Sequence, residues 1–463
     1  TYYMVSTTMH FMPGCEILQS FDLVHWEHVT YVYETLDHTD AQQLKSGQNI
    51  YGQGMWAASL RYHEGRFWIC FVANDTRKTY LYTSEKIDGP WKKQLIEGFY
   101  HDGSLLFDED GRNYIVYGND EIWITELNED LTAPKKDGLH RLLVSDHKNP
   151  ELGYEGSHIQ KINGYYYIFL VHSLRDRWMR TEACFYSDSL EGEFTGGDVL
   201  CDDRGYCGQG VAQGGIVDTP DGKWYAMLFQ DSGAVGRIPI LLPVTWKDHF
   251  PVFGQNGHVP EEIEVHSTRP GYIYQPLVGS DDFCNGLLPR WQFNHDPDPR
   301  YYHLDALQGT YTITTREVCT ELTQAVNTLT QRMSYPSCAA EVTVDASALK
   351  EGDVAGLCAL QGCYAAVGIT KHHGKYEVLM LDKKEDGILD MTEGTVVESH
   401  QMDFRLEADF CNMKDEARCY YRVNKGDWLP IGTVHKLYFK LDHFTGCRFG
   451  LFCYAAEETG GSA

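Results

Sequence analysis

Tyr154-Glu155-Gly156-Ser157-His158-Ile159-Gln160-Lys161-Ile162-Asn163-Gly164-Tyr165-Tyr166-Tyr167-Ile168 reads as a strand, a two-residue turn and a second strand. Asn-Gly between apolar, aromatic-rich runs is a strong short-range hairpin signal. Working outward, the same unit recurs at Glu64-Gly65 before Phe67-Trp68-Ile69, at Asp110-Gly111 before Asn113-Tyr114-Ile115, and at Asp221-Gly222 before Trp224-Tyr225-Ala226. Eight positions ahead of the four turns stand Trp56, Asp102, Glu155 and Gln213. Equal offset in a repeat means an equivalent place in space, so a repeated fold brings these side chains to a common centre. Two of the four are carboxylates.

Spacing of roughly 45 to 60 residues suits a four-stranded propeller blade with variable loops. Tyr2-Tyr3-Met4 reads as the strand half of a fifth unit whose turn and preceding strand are absent. By the same repeat, its central residue falls about ten positions before Thr1. A second echo joins Ser20 through Trp26, Ser84 through Trp91 and Ser187 through Phe194 as matching outer-strand corners. The expectation is an all-β chain: a five-bladed β-propeller over 1–275 with its first blade incomplete, then a β-sandwich over 281–463. Pro243 to Pro276 reads as the connection, and runs such as Gly309 through Ile313 and Ala339 through Val344 as sandwich strands. Phe449 through Tyr454 reads as a buried strand, yet the chain stops a few residues later at Ala463, and the expectation is truncation there too, with a final strand lost.

The 463 residues carry a net charge of -27 and a pI near 5.1, which opposes nucleic acid or anionic membrane as partners. Thirty Tyr and 10 Trp offer flat faces with polar edges that suit sugar rings, although most should fill sheet cores. The 14 cysteines are scattered through strand-like runs as small hydrophobes, not as a disulfide framework, which fits a reducing, cytoplasmic compartment. No run approaches the roughly 18 apolar residues of a membrane helix. Gly208-Gln209-Gly210 lacks the rest of a dinucleotide fingerprint, and no HExxH, paired CxxC or GxSxG is present.

Asp102 lies in His101-Asp102-Gly103-Ser104 and Glu155 in Tyr154-Glu155-Gly156, each beside a glycine that permits close approach. Two carboxylates sharing a partly dry centre push their pKa values apart, so one stays protonated at neutral pH. Glycosidic cleavage needs that pairing of an acid for the leaving oxygen with a carboxylate for water or carbon. The competing account has both acids capping surface turns, but such caps need no repeat equivalence with Trp56 and Gln213.

These motifs, with Met12-Pro13-Gly14, Gly54-Met55-Trp56-Ala57, Gln213-Gly214-Gly215-Ile216-Val217 and Gly236-Arg237-Ile238-Pro239, resemble glycoside hydrolase family 43. The likeness is to its β-xylosidase and arabinofuranosidase members, which carry a C-terminal concanavalin-like β-sandwich, and it covers nearly the whole chain. It implies an inverting hydrolase that releases xylose or arabinose from plant-cell-wall oligosaccharides. In it Glu155 is the general acid and Asp102 tunes and orients that acid. The catalytic base is an aspartate upstream of Thr1, which leaves the 463-residue chain impaired. Trp56, Arg237 and Gln213 are substrate-binding, with Phe11 and His10 as a pocket wall. Relatives place histidine at the position of Gln213 to support calcium; no cofactor is required, and a structural calcium is the one metal the resemblance raises. A homo-oligomer is compatible with this picture. Two further readings stand beside it: a non-catalytic carbohydrate-binding propeller and a scaffold. A scaffold would leave Asp102 and Glu155 in solvent.

Overall fold

The computed structural model describes residues 1–392 and 394–463, and among them it contains strands and short 3-10 turns but no α-helix. The first half is five antiparallel sheets in succession, each a simple meander. The first has three strands, Tyr2–Ser6, Gly14–Ser20 and Glu27–Tyr33. The second has four, Met55–His63, Arg66–Ala73, Lys78–Ser84 and Lys92–Ile96. The third runs Ser104–Phe107, Asn113–Asn119, Glu121–Leu127 and His140–Ser145. The fourth runs Glu155–Ile162, Tyr165–Ser173, Arg180–Ser187 and Thr195–Leu200. The fifth is Ala212–Asp218, Trp224–Asp231, Arg237–Lys247 and Phe250–Phe253.

Every marked turn joins the first two strands of a four-stranded sheet. Glu64-Gly65 and Asn163-Gly164 close two-residue hairpins with both residues at positive φ, the turn whose twist matches the flanking strands. Asp110-Gly111 and Asp221-Gly222 sit in longer loops. The three corners that echo one another each precede the last strand of their sheet. Aligned on that corner, the first sheet lacks the strand that comes first in the other four.

Inner strands link neighbouring sheets. Arg61 of the second sheet donates to the carbonyl of Leu105 and the hydroxyl of Ser104 in the third, and to the carbonyl of Ile159 in the fourth. Gln160 donates to the carbonyl of Ile216 in the fifth, and Tyr225 of the fifth packs with Tyr2 and Leu23 of the first. The domain is therefore propeller-like, with separate apolar clusters filling the wedges between sheets. The fifth sheet extends through Phe253, so the connection is shorter than Pro243 suggests; that proline is a strand residue paired with Tyr225. Past it, the chain straps back onto the first sheet: Thr268 donates its amide to the carbonyl of Phe21 at 2.7 Å, and Gln275 to Glu27 at 2.9 Å.

The second half is two facing sheets and a separate two-stranded hairpin, Tyr302–Asp305 with Thr310–Ile313, so the Gly309–Ile313 run pairs locally and lies outside the two sandwich sheets. A four-stranded one, ordered Ser337–Asp345, Gln401–Asp409, Glu416–Arg422 and Leu429–Lys436, packs on a larger one through Phe404, Leu406, Val367, Ile369 and Met380. The alternation along Ser337–Asp345 shows one face in and one out, as a sandwich requires. The larger sheet is completed by a guest: Phe11–Met12, from the first half, pairs antiparallel with Gln292–Asn294. All 14 cysteines are free thiols, nine of them buried, in line with their reading as small hydrophobes. Among the described residues no helix is long and apolar enough to cross a membrane, which leaves β-barrels untouched.

Candidate active site

The first strands of the second, fourth and fifth sheets carry the same irregularity at their start. Pairing slips between Met55 and Ala58, between Glu155 and His158, and between Ala212 and Gly215. A bulge re-aims the side chains at its edge, and here it carries Trp56, Glu155 and Gln213. Asp102 occupies the corresponding approach to Ser104–Phe107. Asp102 and Gln213 sit at φ 48 and 63, a left-handed backbone that costs energy for a residue with a side chain and clusters at functional sites. Gly156 stands between them at φ 69, where an added Cβ would lie 2.7 Å from Cγ of Gln213. Glycine is required there by both backbone and space.

Asp102 is 6 % exposed, and its Oδ2 accepts the amide of Gly156 at 3.0 Å, tying one acid to the backbone beside the other. One oxygen from each carboxylate and Nε2 of His101 lie within 4.8 Å of one another. His101 Nε2 is 3.6 Å from Asp102 Oδ2 and 3.7 Å from Glu155 Oε2. Asn119 donates to Glu155 Oε2 at 2.9 Å. Burial is the largest influence on Asp102 and pushes its pKa up, helped by the charge of Glu155, against His101, the Gly156 amide and Arg237. Burial also pushes Glu155 up, but His101, Arg180 and Arg237 together outweigh it and hold this carboxyl below its usual range. On His101 the balance runs the other way: burial lowers it, and the two carboxylates more than restore the charge. The two acids are pushed apart as expected, but in the opposite sense: Asp102 upward and Glu155 downward.

Around the acids stands an aromatic and cationic wall. The Arg237 guanidinium lies between the rings of Phe229 and Phe444, 4.4 and 4.3 Å from their centroids. Its Nε donates to Asp231 at 3.2 Å, and Asp231 also accepts from Arg180 at 3.0 Å. Burial lowers the Arg237 pKa to about 10, still charged at neutral pH. Trp56 meets Phe444 edge-to-face at 5.6 Å and faces His101 at 6.0 Å. Phe444 and Arg180 are site residues that sequence reasoning missed. Phe444 comes from the sandwich, outside the repeat, and no local signal marks it; Arg180 starts the third strand of its sheet.

Gln213 donates its amide to Glu182 Oε2 at 2.7 Å, and Oε1 of each is buried without a partner. Burial pushes Glu182 well above the usual carboxylate range. A calcium ion takes six to eight oxygens; the two unpartnered oxygens of Gln213 and Glu182 do not meet that demand.

His10 and Phe11 are not in this wall. Both are fully buried where the two halves meet: His10 packs against Phe11, Tyr51, His295 and His443, and Arg448 lies 3.6 Å over the Phe11 ring. The β-pairing of Phe11–Met12 with the sandwich draws this loop into the seam. A depression of about 460 Å³ on the outer face of the sandwich, lined by Ser337, Arg405, Glu407 and Arg418, lies away from the acids. Its arginines are satisfied by Glu407, Glu341 and Glu416.

Residues 1–251 match the model of glycosyl hydrolases family 43, and residues 280–463 match the beta xylosidase C-terminal concanavalin A-like domain. A beta-xylosidase of Formosa agariphila is 26% identical across 100% of this chain and 85% of its own length. A putative beta-xylosidase of Xylanibacter ruminicola is 28% identical over 80% of this chain and 69% of its own. Among solved structures, a bifunctional GH43-CE protein of Bacteroides eggerthii superposes with a TM-score of 0.92 at 41% identity; the match takes in 100% of this chain and 60% of that one. An engineered GH43 glycoside hydrolase with both endo-xylanase and exo-arabinofuranosidase activity gives 0.85 at 27% identity, covering 99% of this chain and 93% of that one. With both halves matched and the paired acids at their centre, the chain belongs to glycosyl hydrolases family 43.

Proposed function

We propose that this glycoside hydrolase removes a terminal xylose or arabinose from xylo- or arabino-oligosaccharides with inversion at the anomeric carbon. The observation that carries the reading is the Asp102–Glu155 pair, held at one centre by His101 and the Gly156 amide. The five sheets act as the blades of a five-bladed propeller with the pair on its axis. The names of relatives, beta-xylosidases and a non-reducing end alpha-L-arabinofuranosidase of Bacteroides ovatus, support the pentose as the leaving sugar.

Inverting enzymes separate acid and base by about 6.5–9.5 Å to leave room for the attacking water. Asp102 and Glu155 bring oxygens within 4.8 Å of one another, closer than that separation, so Asp102 is not the base. Its role is to tune and orient the neighbouring acid. Glu155 is the general acid. A sugar ring seated over it removes water and raises its pKa, which favours the protonated form that a general acid needs. Trp56 and Phe444 stack on the sugar, and the guanidinium of Arg237 donates to its hydroxyls from a fixed position.

The water-activating carboxylate is assigned to the fifth axial position, the one that the three-stranded first sheet leaves without a strand. Asp231 is engaged by Arg180 and Arg237, and Glu182 by the backbone amide of Gln213, so neither serves as base. A second reading, sugar binding without turnover, is favoured by the ionised state of Glu155 in the empty pocket. Aryl β-xyloside and aryl α-arabinofuranoside assays separate the two, run on the 463-residue chain and on one extended upstream by a segment bearing an aspartate. Turnover restored by extension and abolished by Glu155→Ala supports the hydrolase. Sugar binding with no turnover in the extended chain supports the second reading.

A further inference from the structure

We propose that His101, Asp102 and Glu155 form a binding site for a borderline transition-metal cation such as Zn²⁺ or Co²⁺, and that the bound cation shuts the active site by occupying the place of the scissile oxygen.

The geometry is close to what such an ion asks. Zinc binds imidazole nitrogen at about 2.0–2.1 Å and carboxylate oxygen at about 2.0–2.2 Å, which puts tetrahedral ligand atoms about 3.3–3.5 Å apart. His101 Nε2 stands 3.6 and 3.7 Å from the nearest oxygens of Asp102 and Glu155, so a shift of a few tenths of an ångström closes those two edges, and the third, between the acid oxygens, lies within 4.8 Å and must shorten as the cation draws the carboxylates in. Nε2 is buried with no hydrogen-bond partner, an orphan nitrogen aimed at two acids. A buried polar atom in that position calls for a partner such as an ion.

Ligand chemistry selects the ion. One imidazole and two carboxylates suit zinc, cobalt and nickel, whereas calcium and magnesium prefer oxygen alone. The charge count favours a cation too: the acids bring two negative charges and Asp231 a third, against Arg180 and Arg237. Two further contacts steady the ligands from outside, Asn119 on Glu155 Oε2 and the Gly156 amide on Asp102 Oδ2. Three protein ligands leave a fourth position, open toward Trp56 and Arg237, for water or a sugar hydroxyl.

That last feature rests on the hydrolase reading, because Glu155 must face the glycosidic oxygen for metal and sugar to compete. Binding itself stands without it. The test uses Co²⁺ added to the 463-residue chain, because its visible spectrum separates a nitrogen and oxygen ligand set from thiolates such as exposed Cys201, Cys207, Cys284 and Cys411. One Co²⁺ per chain with a nitrogen and oxygen spectrum is expected, displaced by Zn²⁺. Binding should weaken at least about tenfold in both His101→Phe and Glu155→Gln, the order found for damage to a metal site. Thermal unfolding of each variant confirms an intact fold. Unchanged affinity in His101→Phe, or a thiolate spectrum alone, overturns the site. Binding of Co²⁺ that xylose and arabinose leave untouched overturns the blocking role and counts against the sugar pocket. Hydrolysis by the extended chain without metal binding overturns the proposal and leaves the function standing.

Discussion

Glu155 and Gly156 divide the labour at the centre: one does chemistry, the other makes the room. Glu155→Ala in an active chain removes proton delivery to the leaving group. The expected loss is about 10²–10⁴-fold in kcat on substrates with a poor leaving group, and much less on an activated aryl glycoside that departs without a proton. Parallel assays on the two substrate types check this, and an equal loss on both would remove Glu155 from the acid role. Gly156→Ala acts through structure. Its Cβ would meet Gln213 at 2.7 Å while the backbone keeps φ 69, so the variant should lose about 1–2 kcal/mol from the left-handed backbone alone. Urea unfolding measures that loss. In an active chain kcat should fall with it, because the amide of Gly156 positions Asp102.

The repeat was legible at the level of elements because its signals are local: a turn dipeptide, an aromatic pair and a fixed offset survive without tertiary knowledge. Trp56, Asp102, Glu155 and Gln213 were found that way, and the bulges at Met55, Glu155 and Ala212 are the physical content of the offset. Phe444 was illegible, because it reaches Arg237 only after the sandwich docks, and His10 and Phe11 were misplaced because strand pairing across the seam drew them away from the pocket. Two predictions belong to that seam. Phe444→Ala strips a stacking partner from Arg237 and Trp56, so sugar affinity should fall about tenfold, a loss of the order of one aromatic contact, and the emptied buried site should cost about 3–5 kcal/mol of stability; calorimetric titration with xylo-oligosaccharide reads the first and urea unfolding the second. His10, His295 and His443 form the second case. Burial drives His10 well below the usual imidazole range and His295 to about 3, with neighbouring imidazoles adding to both. The unfolded chain therefore binds more protons than the folded one between the ordinary value near 6.5 and the folded value. Stability is retained above that upper limit and lost as pH falls through the window. The expected loss is a few kcal/mol between pH 7 and 4, since each tenfold difference in proton affinity between the folded and unfolded chain is worth about 1.36 kcal/mol. It should be seen as a falling urea midpoint at constant m. Both ring nitrogens of His10 lack partners, so His10→Phe should flatten the slope at little cost in stability. A slope unaltered by His10→Phe would take His10 out of the effect.

At the scale of the molecule, the two halves share both a sheet and a pocket. Phe11–Met12 completes the larger sandwich sheet, and Phe444 completes the wall beside Trp56, so neither half finishes its own surface. Residues 1–276 expressed alone would expose Phe11, Met12 and His10, all fully buried in the whole chain. An unpaired apolar strand edge is a template for pairing with another chain, and the exposed rings add to it. The separated half should therefore aggregate or unfold well below the Tm of the 463-residue chain, and when soluble it should bind xylo-oligosaccharide at least about tenfold more weakly, because Phe444 is missing. Co-expression with residues 277–463 is the control that decides between the causes. If the halves reassociate, full sugar affinity should return together with the lost stability, because one docking event restores sheet and wall at once. Stability that returned without the lost affinity would mean that Phe444 is not part of the pocket, and undiminished affinity in the isolated first half would mean the same more directly. Light scattering, thermal unfolding and titration on the separate and combined halves distinguish these results.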